Sequence, residues 1–172
     1  MNPRRNFMRF LAAAVPGSAV LATGVARADD GSANDFLGAW TTVHTIPGGG
    51  SFTEFLTFAS GGGLTETNSF LHTSSNLDFS SFGVPLSGVN ASDGMGNWER
   101  TGSRQIKVEF RKLMFIAGRY GADFKVEGTL SLNGEILSAN WTRIAVEVIG
   151  GPVILLGSAT STGTRIQFDR QS

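Results

Sequence analysis

Gln105-Ile106-Lys107-Val108-Glu109-Phe110-Arg111 alternates polar and apolar side chains residue by residue, and Phe124-Lys125-Val126-Glu127-Gly128-Thr129-Leu130-Ser131-Leu132 repeats the alternation after a glycine-bounded turn. A period of two belongs to a β-strand with one wet and one buried face; a helix would bring apolar residues back every three or four positions. Ile106, Val108 and Phe110 therefore face a core, and so do Phe124, Val126, Leu130 and Leu132.

Working outward, eight such runs are found: Ala39–Ile46, Phe52–Ala59, Leu64–His72, Gly96–Arg100, Gln105–Phe115, Ala122–Leu132, Glu135–Ile149 and Val153–Phe168. Turn chemistry separates most of them, in Pro47-Gly48-Gly49-Gly50, Ser60-Gly61-Gly62-Gly63, Thr101-Gly102-Ser103-Arg104, Gly118-Arg119-Tyr120-Gly121, Asn133-Gly134 and Gly150-Gly151-Pro152. Connections this short make neighbours antiparallel, and no helical crossover lies between strands, which excludes a parallel α/β sheet. Eight long antiparallel strands leave two bare edges unless they close. The expected fold is all-β, an eight-stranded antiparallel up-and-down barrel whose interior is filled by side chains or holds one small ligand. The long connection from His72 to Met95, rich in Ser, Asn and Gly, is read either as a lid over the barrel mouth or as a solvated excursion.

Alternation also assigns polar residues to the interior. Phe52, Leu56 and Phe58 carry Glu54 inward; Trp40 carries Thr42, His44 and Ile46; Leu64 and Phe70 carry Glu66, Asn68 and His72. A first turn centred near Gly49 pairs Trp40 with Phe58, Thr42 with Leu56 and His44 with Glu54, and the second turn pairs Glu54 with Asn68 and Leu56 with Glu66. His44, Glu54 and Asn68 then form one row. A buried carboxylate beside an imidazole is either an ion pair or an acid of shifted pKa, which marks a candidate site; a structural polar network or a wet rim position is the competing reading. In the seventh run the flanking acids turn Ser138, Asn140 and Thr142 inward to line the cavity, while a rival reading buries Trp141 and Arg143, and a bulge mixes the two.

Composition narrows the function classes. The 172 residues allow one domain; 41% hydrophobic and 16% charged residues describe a foldable chain. Fourteen basic groups balance fourteen acidic ones, with no basic block beyond the first dozen residues, so nucleic acid is not an expected partner. Cysteine is absent, which removes disulfides, thiolate sites and a cysteine nucleophile. Two histidines without metal-ligand spacing call for no metal, and no cofactor motif, phosphate loop or Gly-x-Ser-x-Gly elbow is present. The triplets Asn90-Ala91-Ser92 and Asn140-Trp141-Thr142 are read as chance matches to a glycosylation signal.

Residues 1–28 read as a removable leader, with a basic start, an apolar stretch from Phe10 to Val25 and a small-x-small end at Ala26-Arg27-Ala28. Arg4-Arg5-Asn6-Phe7-Met8-Arg9 resembles a twin-arginine export signal, which implies export to the periplasm or beyond. The apolar stretch, interrupted by Pro16 and Gly17, is short for a membrane span. Losing Arg4, Arg5, Arg9 and Arg27 leaves ten basic against fourteen acidic groups, so no stable membrane association is expected after cleavage. The expected layout is leader 1–28, polar lead 29–35 and a single barrel domain 36–170.

Gly38-Ala39-Trp40 opening the first strand, followed by eight antiparallel runs, resembles the lipocalin-like (calycin) barrels. The resemblance implies an indole at the closed end of the barrel under an arginine from the end of the meander, matched here to Arg165. Gly96-Asn97-Trp98 looks like a second such element, also similar to small secreted bacterial barrels and to allene-oxide-cyclase-like barrels. The leading expectation is a noncatalytic exported barrel holding a small hydrophobic or amphipathic molecule against His44, Glu54, Leu56, Glu66, Asn68, Phe70, Phe110, Phe124 and Asn140, with Trp40, Trp98 and Arg165 structural. The alternative is a barrel cyclase or isomerase in which Glu54 or Glu66 moves a proton with help from His44. A third reading is an assembly or inhibitor module using the outer face.

Overall fold

The computed structural model describes residues 34–45, 51–69 and 88–167. A 3₁₀ turn at Asn34–Phe36 precedes nine strands: β1 Gly38–Thr45, β2 Ser51–Phe58, β3 Gly63–Asn68, β4 Val89–Ala91, β5 Gly94–Gly102, β6 Gln105–Ile116, β7 Arg119–Asn133, β8 Ile136–Val148 and β9 Val153–Arg165. Every pairing is antiparallel, and β1 bonds to β9 while β6 bonds to β7, so the sheet closes on itself. The short β4 and the longer β5 both lie on the same flank of β6, opposite Met114–Ile116 and Gln105–Arg111 respectively, and occupy one barrel position. Ser92 bridges the break: its backbone N–H donates to the Leu113 carbonyl, and its hydroxyl accepts from the Leu113 N–H. The result is a closed eight-stranded antiparallel up-and-down barrel with almost no helix, as the alternation predicts.

The alternating residues that define β6 are buried in strict alternation from Ile106 through Met114. The β7–β8 hairpin turns through Gly134 at φ 63°, a left-handed conformation that glycine adopts without strain. Two apolar clusters fill the interior. One, around Trp40, Leu56, Phe58, Ile106, Leu130 and Leu137, plugs the end where β1 begins; the other, around Val89, Met114, Ala122 and Val146, lies toward the opposite end.

Three expectations are corrected. The first hairpin pairs Trp40 with Leu56, Thr42 with Glu54 and His44 with Phe52, two residues from the expected register; an even slip keeps every side chain on its face. The connection between His72 and Met95 contains β4 and the start of β5. In β8, Leu137, Ala139 and Trp141 are the buried set, and Asn140 and Thr142 are exposed, so Asn140 does not line the lumen. Irregular pairing between Trp141 and Ile144 then reverses the alternation, burying Val146 and turning Glu147 out to Lys125. A bulge lets the large indole and the acid each take the environment it favours.

Candidate functional site

Four strands project polar side chains into the barrel between the two apolar clusters: Thr42 and His44 from β1, Glu54 from β2, Glu66 and Asn68 from β3, and Lys112 from β6, all buried. Each shares the parity of apolar neighbours, so strand geometry leaves no outward alternative once Trp40, Leu56, Leu64 and Phe110 are buried. Glu54 Oε2 lies 2.6 Å from His44 Nε2 and accepts a 2.9 Å hydrogen bond from the Thr42 hydroxyl. Asn68 Nδ2 donates to Glu66 Oε1 at 2.8 Å, and Lys112 Nζ approaches Glu66 Oε2 to 2.7 Å. That last approach is close in distance but poorly aimed: neither Lys112 Nζ nor Glu66 Oε2 makes a directed hydrogen bond.

Aromatic side chains fix the imidazole. The His44 ring stacks on Phe52 at 4.4 Å between centroids and on Trp141 at 5.5 Å, with interplanar angles of 9° and 17°. Trp141 is held by its indole N–H, which donates to Ser161 Oγ at 3.0 Å, and by the edge-to-face ring of Phe110 at 5.8 Å. A histidine clamped this way loses little further freedom when a polar group approaches it.

Electrostatics set the carboxylates apart. Burial first, and the neighbouring Glu54 carboxylate second, push Glu66 up from 4.5 to about 8, while Lys112 and Asn68 pull it down. Glu66 therefore exchanges its proton near neutral pH, beside the 2.6 Å contact between His44 and Glu54. A buried carboxyl of raised proton affinity beside a histidine–carboxylate contact is a combination suited to acid–base chemistry.

Of the residues expected at the site, the structure brings together His44, Glu54, Glu66, Asn68 and Phe110. Leu56 belongs to the apolar cluster at the end where β1 begins, and Phe124 packs half-buried against both clusters. Phe70 and His72 lie outside the described residues. Lys112, Trp141 and Ser161 were not among the expected ligand contacts. For Lys112 the signal was present, because it continues the Ile106, Val108, Phe110 parity.

At the plugged end, the Arg165 guanidinium sits 4.5 Å from the centroid of the Trp40 ring and donates to the carbonyls of Leu37 and Asp35. The Trp40 N–H donates to the Phe36 carbonyl at 2.9 Å. Trp98 is half-buried, donates to the Ala59 carbonyl at 3.0 Å and stands edge-on to Phe58. Among the described residues no cluster of three or more His, Asp or Glu side chains could hold a metal ion, and no helix is long and apolar enough to cross a membrane.

No family model matches the chain, and no curated protein matches it. Among solved structures it is similar to the crystal structure of Rv2717c from M. tuberculosis, at 14% sequence identity and a TM-score of 0.38, over 80% of this chain and 96% of that one.

Proposed function

We propose that this protein is an exported, lipocalin-like barrel that holds a small amphipathic molecule in its lumen. One observation carries the reading: a largely apolar interior devotes six buried positions on four strands to two neighbouring polar groups, Thr42, His44 and Glu54 in one and Glu66, Asn68 and Lys112 in the other. Ionised groups removed from water stabilise a fold less than apolar residues of the same size, so their placement calls for a role beyond packing. Phe52, Phe110 and Trp141 offer apolar and aromatic walls beside the row, the combination of greasy surface and few polar groups found in small-molecule sites. Export to the periplasm or beyond is part of the proposal and rests on the leader at residues 1–28. Native mass spectrometry of the protein recovered from its own host is the test. A retained small molecule released on unfolding supports the reading; an empty barrel that also takes up no lipophilic dye overturns it.

A second reading is favoured by the Glu66 carboxyl, which titrates near neutrality next to a histidine–carboxylate pair. In that reading the barrel is a cyclase or isomerase in which Glu66 and the His44–Glu54 pair exchange a proton with the substrate. Glu54→Gln and Glu66→Gln then abolish turnover with the fold intact, and unchanged activity eliminates it.

A further inference from the structure

Lys112 is the least expected member of the row. The chain has three lysines; Lys107 is exposed on the outer face and Lys125 is held by Glu147, while Lys112 points inward with a fully buried side chain. Its neighbours of the same parity are Phe110 and Met114, positions where an apolar side chain packs without desolvating a charge. Its amine touches Glu66 Oε2 at 2.7 Å, yet both atoms lack a directed hydrogen bond. A buried ammonium has three donors to satisfy, and this one is left reaching into the lumen with none used well.

The charges around it constrain what completes the site. His44 and Lys112 face Glu54 and Glu66, two potential cations against two potential anions. A ligand carboxylate would add an uncompensated buried charge, which is costly, so the polar end that fits is neutral and accepts hydrogen bonds. A carbonyl meets that requirement, and it is also the group with which a desolvated lysine amine reacts.

We propose that Lys112 Nζ is a covalent attachment point for the carbonyl carbon of an aldehyde- or ketone-bearing amphipathic molecule, with Glu66 carrying the protons. The inference deepens the lumen-binding reading and rests on it. The Lys112 ammonium first gives a proton to Glu66 Oε2. The freed nitrogen lone pair attacks the carbonyl carbon; a C–N bond forms as the C=O π bond breaks, and with a proton shift from nitrogen to oxygen a carbinolamine results. Glu66 then returns its proton to the departing hydroxyl, water leaves, and the C=N double bond closes as a protonated imine, with Glu66 again a carboxylate. Carbonyl compound and ammonium give iminium and water, with no change of oxidation state. Glu66, titrating near neutrality, suits both transfers.

The test uses the full chain with decanal, 1-decanol and decanoate as probes, each assayed by native mass spectrometry and Trp fluorescence, and decanal also with cyanoborohydride, which reduces an imine to a stable secondary amine. The expected result is one decyl group per chain on Lys112 and none on Lys107 or Lys125 by peptide mapping, with decanoate the weakest binder. Lys112→Met should lose the adduct, while Lys107→Met, altered on the outer face, should keep it. Decanal and decanol binding without a decyl group on Lys112, or equal labelling of all three lysines, overturns the attachment and leaves the lumen reading standing. If neither probe binds, both readings fall.

Discussion

Glu66 and Lys112 touch at 2.7 Å although β5 runs between the strands that carry them. The contact passes over Gly94, where a Cβ would fall 2.6 Å from Glu66 Oε2 and 2.9 Å from the Phe110 ring. A glycine at this point leaves the gap through which two long side chains meet inside the barrel. Gly94→Ala should therefore force Glu66 and Phe110 aside and lower stability by about 1–3 kcal/mol, the usual cost of overpacking. Urea denaturation against the unmodified protein measures it, and an unchanged midpoint would show that the gap is not needed.

Above about pH 8, where the Glu66 carboxyl is ionised, removing its partner Lys112 strands a buried charge. Lys112→Ala is expected to destabilise the barrel by about 3–5 kcal/mol. The double replacement Lys112→Met with Glu66→Gln, which keeps an acceptor for Asn68 and removes both charges, should recover most of that loss. Chemical denaturation of the three proteins checks the non-additivity, and additive losses would contradict it.

The proton affinity of Glu66 gives stability a pH dependence of definite sign. Its carboxyl is pushed up from 4.5 to about 8 in the folded protein, so the folded state binds more protons than the unfolded state between those values. The contribution of Glu66 is most favourable below about pH 4.5 and is lost as pH rises through about 8. Melting temperatures across that window should fall more steeply for the unmodified protein than for Glu66→Gln. Parallel profiles would show that Glu66 titrates normally.

Arg165 joins the end of β9 to the segment before β1 by hydrogen bonds to Leu37 and Asp35 and by its position over Trp40. Arg165→Ala should cost about 1–3 kcal/mol, since a stacked guanidinium and hydrogen bonds from a charged donor are lost together. Near-UV circular dichroism of the Trp40 environment and thermal melting report the change. An Arg165→Lys variant should not restore it, because an ammonium cannot stack and fork as a guanidinium does.

The barrel was readable because period-two alternation survives in nearly every strand, and a buried face cannot slip by one residue without exposing all its apolar side chains. The β2–β3 register followed correctly from the turn at Ser60–Gly63, with Glu54 opposite Asn68 and Leu56 opposite Glu66. The first hairpin slipped by two because a turn containing three consecutive glycines centres at more than one position at similar cost. His44 and Glu54 still meet, diagonally rather than directly opposite. The bulge in β8 carries no distinct residue signature, so Asn140 was assigned to the wrong face. Lys112 escaped for another reason: residue type argued for solvent while strand parity argued for the interior, and parity prevailed.

Arg165 and Leu37, 128 positions apart, latch together the first and last stretches of the folded chain. A nascent polypeptide still lacking β9 has nothing to pair with β1 on one rim or with β8 on the other, and it remains an unrolled ribbon. Closure thus awaits the synthesis of β9, and a search over so long a separation in sequence is slow. Until then two sticky rims stay open to neighbouring chains, so β9 decides whether newly made protein becomes a cylinder or an aggregate.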